Sequence, residues 1–462
     1  MNETNVKTKQ RERQKMFRDV YDNTIPERFP VHDCITLDLA IEYSGKDKIP
    51  FVYDYTAEGI EEVLEKSMEI SYGDTIKAAN RNPAGLLFKQ SKVNVMNSKG
   101  FVQHPETSGF EAEEYDEFIQ NPYDFTLEKV LPRLNPGFDT NSINRSVNFT
   151  KYVLAQRSFA AELDTAVDKV VERHGLFKAP KGSSGVQLAP FDFLADFCRG
   201  FAKVPLDIRR VPEKVEAACE ALVPYLIEKS KYPVKSIEGE NKIMTHMATF
   251  LRPKDFERFY WPTFYKMVHM IAERGQACYI FCESDWTRYI DYLQELPQGT
   301  RLHMEYGDPK KFKDKLGKKM ILSGFYPINL LKTGTKQQCI DKAKELVDIL
   351  APGGNFEWRF DKSALELADV NLENYHALMQ WIVENNRYDN AGEKVSPTRK
   401  EDTIEKFSDQ YPEFKSKYII SYEEWKQDYP PVNEKADEAM RKAYERYSKM
   451  VEPYNDLYCI SG

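Results

Sequence analysis

The chain has no apolar run long enough to span a bilayer, and Met1 to Arg18 is polar and basic without an apolar core of the signal-peptide kind. A cytoplasmic protein with no membrane partner is therefore expected. Its seven cysteines (Cys34, Cys198, Cys219, Cys278, Cys282, Cys339 and Cys459) are odd in number and include no Cys-x-x-Cys pair. Neither a disulfide framework nor a thiolate zinc knuckle is indicated, and most of them read as buried small hydrophobes. No basic face is evident and the net charge is −8, which argues against nucleic acid as a partner. Gly353-Gly354 carries no nucleotide-binding meaning, because no Gly-x-Gly-x-x-Gly follows a strand. Internal repeats and low-complexity segments are absent as well.

What is present is an ordinary globular composition over 462 residues, 41% apolar and 30% charged. Aromatics reach 13%, with 27 Tyr and 27 Phe, enough to fill a core and also suited to a pocket for a flat or methylated ligand. From Asp192 onward, strand-like and helix-like segments alternate. Helices are expected at Pro212 to Lys229, Asp255 to Arg274, Trp286 to Glu295, Pro309 to Leu316 and Thr335 to Leu350. Strands are expected at Asn241 to Phe250, Ala277 to Phe281, Arg301 to Glu305, Met320 to Ser323 and Asn355 to Arg359. Asp192 to Phe197, before Arg199-Gly200, opens this alternation, and Lys178 to Gly185 reads as a loop. Repeated β–α units imply a parallel sheet closed into a (β/α)8 barrel. Phe29 to Leu37 would be its first strand, and the irregular stretch Ser71 to Gly109 would elaborate its entrance. The domain reading is a charged helical leader (1–24), the barrel (25–385) and a helical C-terminal extension (386–462). That extension wraps the barrel or packs on a partner, a second copy in a homodimer among the options.

Two clusters terminate consecutive strands: Cys282-Glu283-Ser284-Asp285-Trp286 and His303-Met304-Glu305. The carboxyl ends of barrel strands are where chemistry is assembled. Glu283, Asp285, His303 and Glu305 are thus the candidate catalytic residues, and His303 and Glu305 share one face of their strand. Asp285, just before Trp286, also reads as a helix N-cap. Cys282, Glu283, His303 and Glu305 offer N, O and S donors of the kind zinc accepts, although their spacing matches no recognised signature. On the last strand, Glu357, Trp358 and Arg359 are candidate substrate-binding residues. Arg359 suits a carboxylate, or else pairs with Asp361 at the rim. His32 and Asp33 at the end of the first strand are candidates of the same kind.

Several phrases also occur in a familiar order. Arg28-Phe29-Pro30-Val31 leads to Glu42-Tyr43-Ser44-Gly45, and Glu114-Tyr115-Asp116 to Asn121-Pro122-Tyr123-Asp124. Phe197-Cys198-Arg199-Gly200 leads to Leu206-Asp207-Ile208-Arg209-Arg210, Phe250-Leu251-Arg252-Pro253 to Phe259-Tyr260-Trp261-Pro262, and Leu330-Leu331-Lys332-Thr333-Gly334-Thr335 to Gly353-Gly354. From Lys9 to Ile382 the chain resembles the uroporphyrinogen decarboxylase superfamily, in particular its corrinoid-dependent methyltransferase branch. The resemblance implies a (β/α)8 barrel that demethylates a small methylated substrate and passes the methyl group to the cobalt of a partner corrinoid protein. Zinc enzymes of the superfamily carry a His-x-Cys pair and a second Cys on the last strand. Here Ile280 stands two before Cys282, and Asn355 to Arg359 holds no cysteine, so the usual thiolate site is broken. The decarboxylase's arginine-rich loop has no counterpart in Phe29 to Leu39. An aromatic methyl ether is the preferred substrate on this reading. The alternatives are a decarboxylase or lyase acting on a carboxylated ring, with Arg359 as anchor, and a non-catalytic barrel serving as an assembly subunit.

Overall fold

The computed structural model describes residues 3–76 and 87–455; Cys459 and part of the 71–109 stretch lie outside them. Five strands form a parallel sheet in chain order: β1 (Gly185–Leu188), β2 (Asn241–Thr245), β3 (Cys278–Asp285), β4 (Arg301–Tyr306) and β5 (Ile321–Gly324). Every neighbouring pair is parallel, which requires a crossover between strands, and most crossovers here are helical. The ladder continues beyond β5 through single parallel bridges, Leu322 to Phe356 and then Trp358 to Val31. Asp74 N–H next donates to the Val31 carbonyl (2.8 Å), and Thr75 bridges Phe177. This order is that of the expected α/β barrel, with short bridges in place of full ladders at 30–32, 74–75 and 356–360.

The α/β periodicity fixes most elements within a few residues. Helices at Pro212–Lys229 and Pro309–Leu316 match the expectation, and Lys336–Leu350 opens on a Thr335/Gln338 capping box. Four expectations are corrected. Asp192 to Phe197 is helical, and the strand lies earlier, at β1, on the edge of the expected loop. Asn241 to Phe250 stops being strand at Thr245 and turns through Ala248–Phe250. Phe29 to Leu37 is cut short because Thr36 Oγ1 accepts from Leu39 N–H and starts a helix at Leu37. In the C-terminal extension expected to be helical, the stretch around residue 400 holds only a single short turn, Lys400–Thr403. Pro132 and Pro262 each follow a π-type turn (Thr126–Val130 and Phe256–Tyr260), as expected where a missing N–H breaks the ladder.

Two compact units share the chain. One comprises Met1–Asn80, Ala160–Asp192 and Ser230–Gln410 and holds the sheet. Its first helix, α1 (Glu3–Tyr21), packs Phe17 and Tyr21 with Phe177 and Ile321, at the amino-terminal end of the strands. Asp74 anchors this end, accepting from Arg13 Nε (2.9 Å), both Arg28 Nη atoms (2.7 Å each) and Val31 N–H (3.0 Å). Further along, Lys394 and Arg387 bridge Thr24 and Arg28, so the segment after the last barrel helix pairs with the chain's own beginning. The second unit, Arg81–Phe159, Phe193–Lys229 and Tyr411–Gly462, is mainly helical. In it Asp207 accepts from Arg199 Nε (2.6 Å) and Tyr115 O–H (3.0 Å). This joins three of the phrases that carry the sequence resemblance. The C-terminal segment lies on this unit through Phe414 against Tyr123 and Tyr225, and through Tyr411 O–H to Glu220 (2.5 Å).

Candidate active site at the barrel mouth

Register sets the site in layers. Parallel strands aligned residue for residue point matched side chains to the same face. Lys242, Tyr279 and Arg301 therefore share one lumen row, and Met244, Phe281 and His303 the next. Arg301 lies lowest, with its guanidinium over the Tyr21 ring (3.5 Å), so α1 closes the floor.

The middle of the lumen is polar and interlocked. His303 Nε2 lies 2.7 Å from the Phe360 carbonyl, so that nitrogen carries the proton, and Nδ1 accepts from the Tyr279 hydroxyl. Burial pushes the Tyr279 phenol up, and its hydroxyl remains protonated. Glu357 Oε2 accepts from Arg359 Nε and Nη2, both at 3.1 Å, and stands 3.4 Å from His32 Nε2. Burial opposes ionisation of Glu357, yet Arg359 and then His32 hold its carboxyl well below the usual range. His32 is itself pushed down by burial and by Arg359, and so stays neutral. The partner expected for Arg359 was Asp361; the actual one is Glu357, while Asp361 accepts from the Ile328 and Lys362 backbone N–H groups. Trp358 points the other way, buried against Tyr326 and Phe360, and is a packing residue. Asp33 accepts from Ser71 Oγ (2.6 Å) and Ile35 N–H, bracing the turn after the first strand.

The mouth is built by a local distortion. Pairing between β3 and β4 shifts register between Cys282 and Asp285, and Ser284 adopts φ +62°, a left-handed conformation costly for a side chain with a Cβ. Ser284 N–H donates to Glu305 Oε2 (2.8 Å), which fixes the distortion, and Glu305 Oε1 meets Lys362 Nζ at 3.0 Å. Glu283 is thereby delivered to His246, with Oε2 3.0 Å from Nε2. Both remain partly open to solvent, at 46% for the His246 side chain and 35% for Glu283. Asp285 accepts from Thr287 N–H (2.8 Å) and caps the turn that follows. The four proposed metal donors do not converge: Cys282 faces away from the lumen, fully buried with its thiol pushed up, and both nitrogens of His303 are engaged. Among the described residues no group of three His, Cys, Asp or Glu is placed to hold a metal ion.

His246 is hidden in the sequence because Asn241 to Phe250 has the pattern of one continuous strand, whereas the strand ends at Thr245. Its signal was positional: Thr245 pairs with Cys282, so the next residue falls beside Glu283. Lys362 and Tyr279 were missed for lack of any motif.

A parallel α/β barrel with acids, an imidazole and a lysine at the carboxyl ends of its strands defines an enzyme-like mouth of the kind barrels use for catalysis. The model of the uroporphyrinogen decarboxylase family, URO-D, matches residues 182–384, the segment that carries all five strands and the whole mouth. That segment is therefore similar to the uroporphyrinogen decarboxylase family. Among solved structures it is similar to a methyltransferase from Methanosarcina mazei, with a TM-score of 0.51 and 14% identity over 82% of this chain and 98% of that one. At that identity the likeness is one of fold. No curated protein matches the chain.

Proposed function

We propose that the protein is a methyltransferase that removes the methyl group of a small methylated compound, an aromatic methyl ether by preference, and hands it to the cobalt of a corrinoid protein. The observation that carries this reading is the His246–Glu283 pair at 3.0 Å, open to solvent at the mouth of a superfamily barrel. Breaking a methyl–oxygen bond leaves a poor leaving group unless a proton reaches the departing oxygen. The acceptor cobalt, a second substrate brought by the partner, takes the methyl group; the pair delivers the proton to the oxygen. Glu305, held by Lys362 and Ser284 N–H, fixes the strand end on which Glu283 rides. Phe250, just beyond β2, and Tyr306, the last residue of β4, are well exposed and offer flat apolar surface at the same end for a macrocycle brought by a partner.

The test is an anaerobic assay with cob(I)alamin and a panel of methylated aromatics and amines, following methylcobalamin by absorbance. Transfer from one compound that is lost in His246→Gln and Glu283→Gln supports the reading. No transfer from any compound by folded protein, with a corrinoid partner supplied, overturns it in favour of carbon–carbon cleavage of a carboxylated ring.

A further inference from the structure

Outward-facing residues of the central strands are sealed, whereas several lumen-facing ones keep solvent contact. Ile243, Ile280 and Cys282 are fully buried; Val186 is 38% exposed, and Lys242, Met244 and Phe281 are partly open. A lumen filled by layers of apolar side chains, as barrels usually are, would seal both sets. A solvent-reached chamber therefore lies below the mouth on the β1–β3 side, with the Val186–Lys242–Tyr279 row along it.

The charges around that chamber do not cancel. Arg359 is matched by Glu357 (3.1 Å) and Arg301 by Glu240 (3.4 Å). Lys242 is left over: its Nζ sits 5.8 Å from the Tyr279 ring, and among the described residues no carboxylate lies at ion-pair distance from it. Arg359 Cζ lies 4.9 Å from the same ring. Three cations, Lys242, Arg301 and Arg359, thus share two carboxylates, Glu240 and Glu357, and burial pushes the Lys242 ammonium down. An unpaired cation inside a barrel is costly, and a ligand anion relieves that cost.

We propose that this chamber seats a carboxylate: the substrate is a small methylated carboxylic acid whose acid group lies between Lys242 and Arg359, with its methyl-bearing end toward His246 and Glu283. One uncompensated positive charge matches a monoanion better than a phosphate dianion, and Arg359 retains N–H donors beyond the two that Glu357 uses. The inference rests on the mouth being the reacting end.

Binding to the full-length protein is measured by calorimetry with two acids, 4-methoxybenzoate and methoxyacetate, and with their amides. The expected result is that one acid binds about 10- to 100-fold more tightly than its amide, the factor of one charge-assisted contact. Lys242→Met removes that preference while leaving the circular dichroism spectrum unchanged, and Lys242→Arg keeps most of it. Equal binding of acid and amide, a preference that survives in Lys242→Met, or no binding of either acid overturns the proposal. Methyl transfer is scored separately. Lys242-dependent acid binding without transfer to cobalamin keeps the chamber and refutes the methyltransferase reading. Transfer from uncharged ethers with no acid preference does the reverse.

Discussion

Removing the Glu357 carboxylate tests the central electrostatic claim about the lumen. Glu357 is 1% exposed and Arg359 14%, so in Glu357→Gln the guanidinium keeps its place but loses its countercharge. Breaking a buried pair by removing one partner costs about 3–5 kcal/mol, most of it the penalty of the stranded charge. For a cooperative unit of about 300 residues this lowers Tm by roughly 5–8 °C. The control is Glu357→Gln with Arg359→Met: deleting the stranded charge returns part of the loss, so the double variant melts above the single. The pH dependence follows from the direction of the shift. The folded carboxyl lies below its unfolded value, so its contribution is present above that unfolded value and fades as pH falls through the folded one. The gap between wild type and Glu357→Gln in thermal melts therefore stays level from pH 8 to about pH 5 and narrows only in stronger acid. A single variant within about 1 kcal/mol of wild type, or a double variant less stable than the single, refutes the reasoning.

Glu283→Gln and His246→Gln each lower the methyl-transfer rate by about 10²–10⁴, the range for a lost proton donor, with little change in KM; a change in KM alone, read by steady-state kinetics, contradicts that role. Asp285→Ala loses a cap and about 1 kcal/mol in chemical denaturation while activity stays within a factor of about two. A large activity loss with unchanged stability would return Asp285 to the chemistry. Asp74→Asn leaves Arg13 and Arg28 without their carboxylate at the barrel floor and costs about 3 kcal/mol in denaturant unfolding. Burial opposes the Asp74 charge but Arg28 and Arg13 hold its carboxyl low, so this stability too is present at neutral pH and lost only in acid; a gap that closed near pH 6 would contradict the assignment.

How far the sequence foretells this molecule depends on what encodes each part. Strands β3, β4 and β5 were legible because continuous apolar runs such as Ala277 to Phe281 end in polar clusters, the local mark of a strand buried on both faces. β1 was not, since Gly185–Leu188 offers only four residues behind a Gly- and Ser-rich loop, and its pairing with β2 rather than its own pattern makes it a strand. Glu283 and Glu305 were legible as mouth residues by position alone. The partner of Glu283 was not, because a pair formed between β2 and β3 depends on where β2 stops, and Thr245 to Phe250 reads as strand until a turn interrupts it. The same limit explains Arg359. Its neighbour two residues on, Asp361, is occupied by the Ile328 and Lys362 backbone N–H groups, which leaves Glu357, two residues back on the same alternating face, to take the guanidinium. Local pattern names the strand and its face; what else each of two equidistant acids meets decides which one an arginine takes, and that belongs to the folded chain.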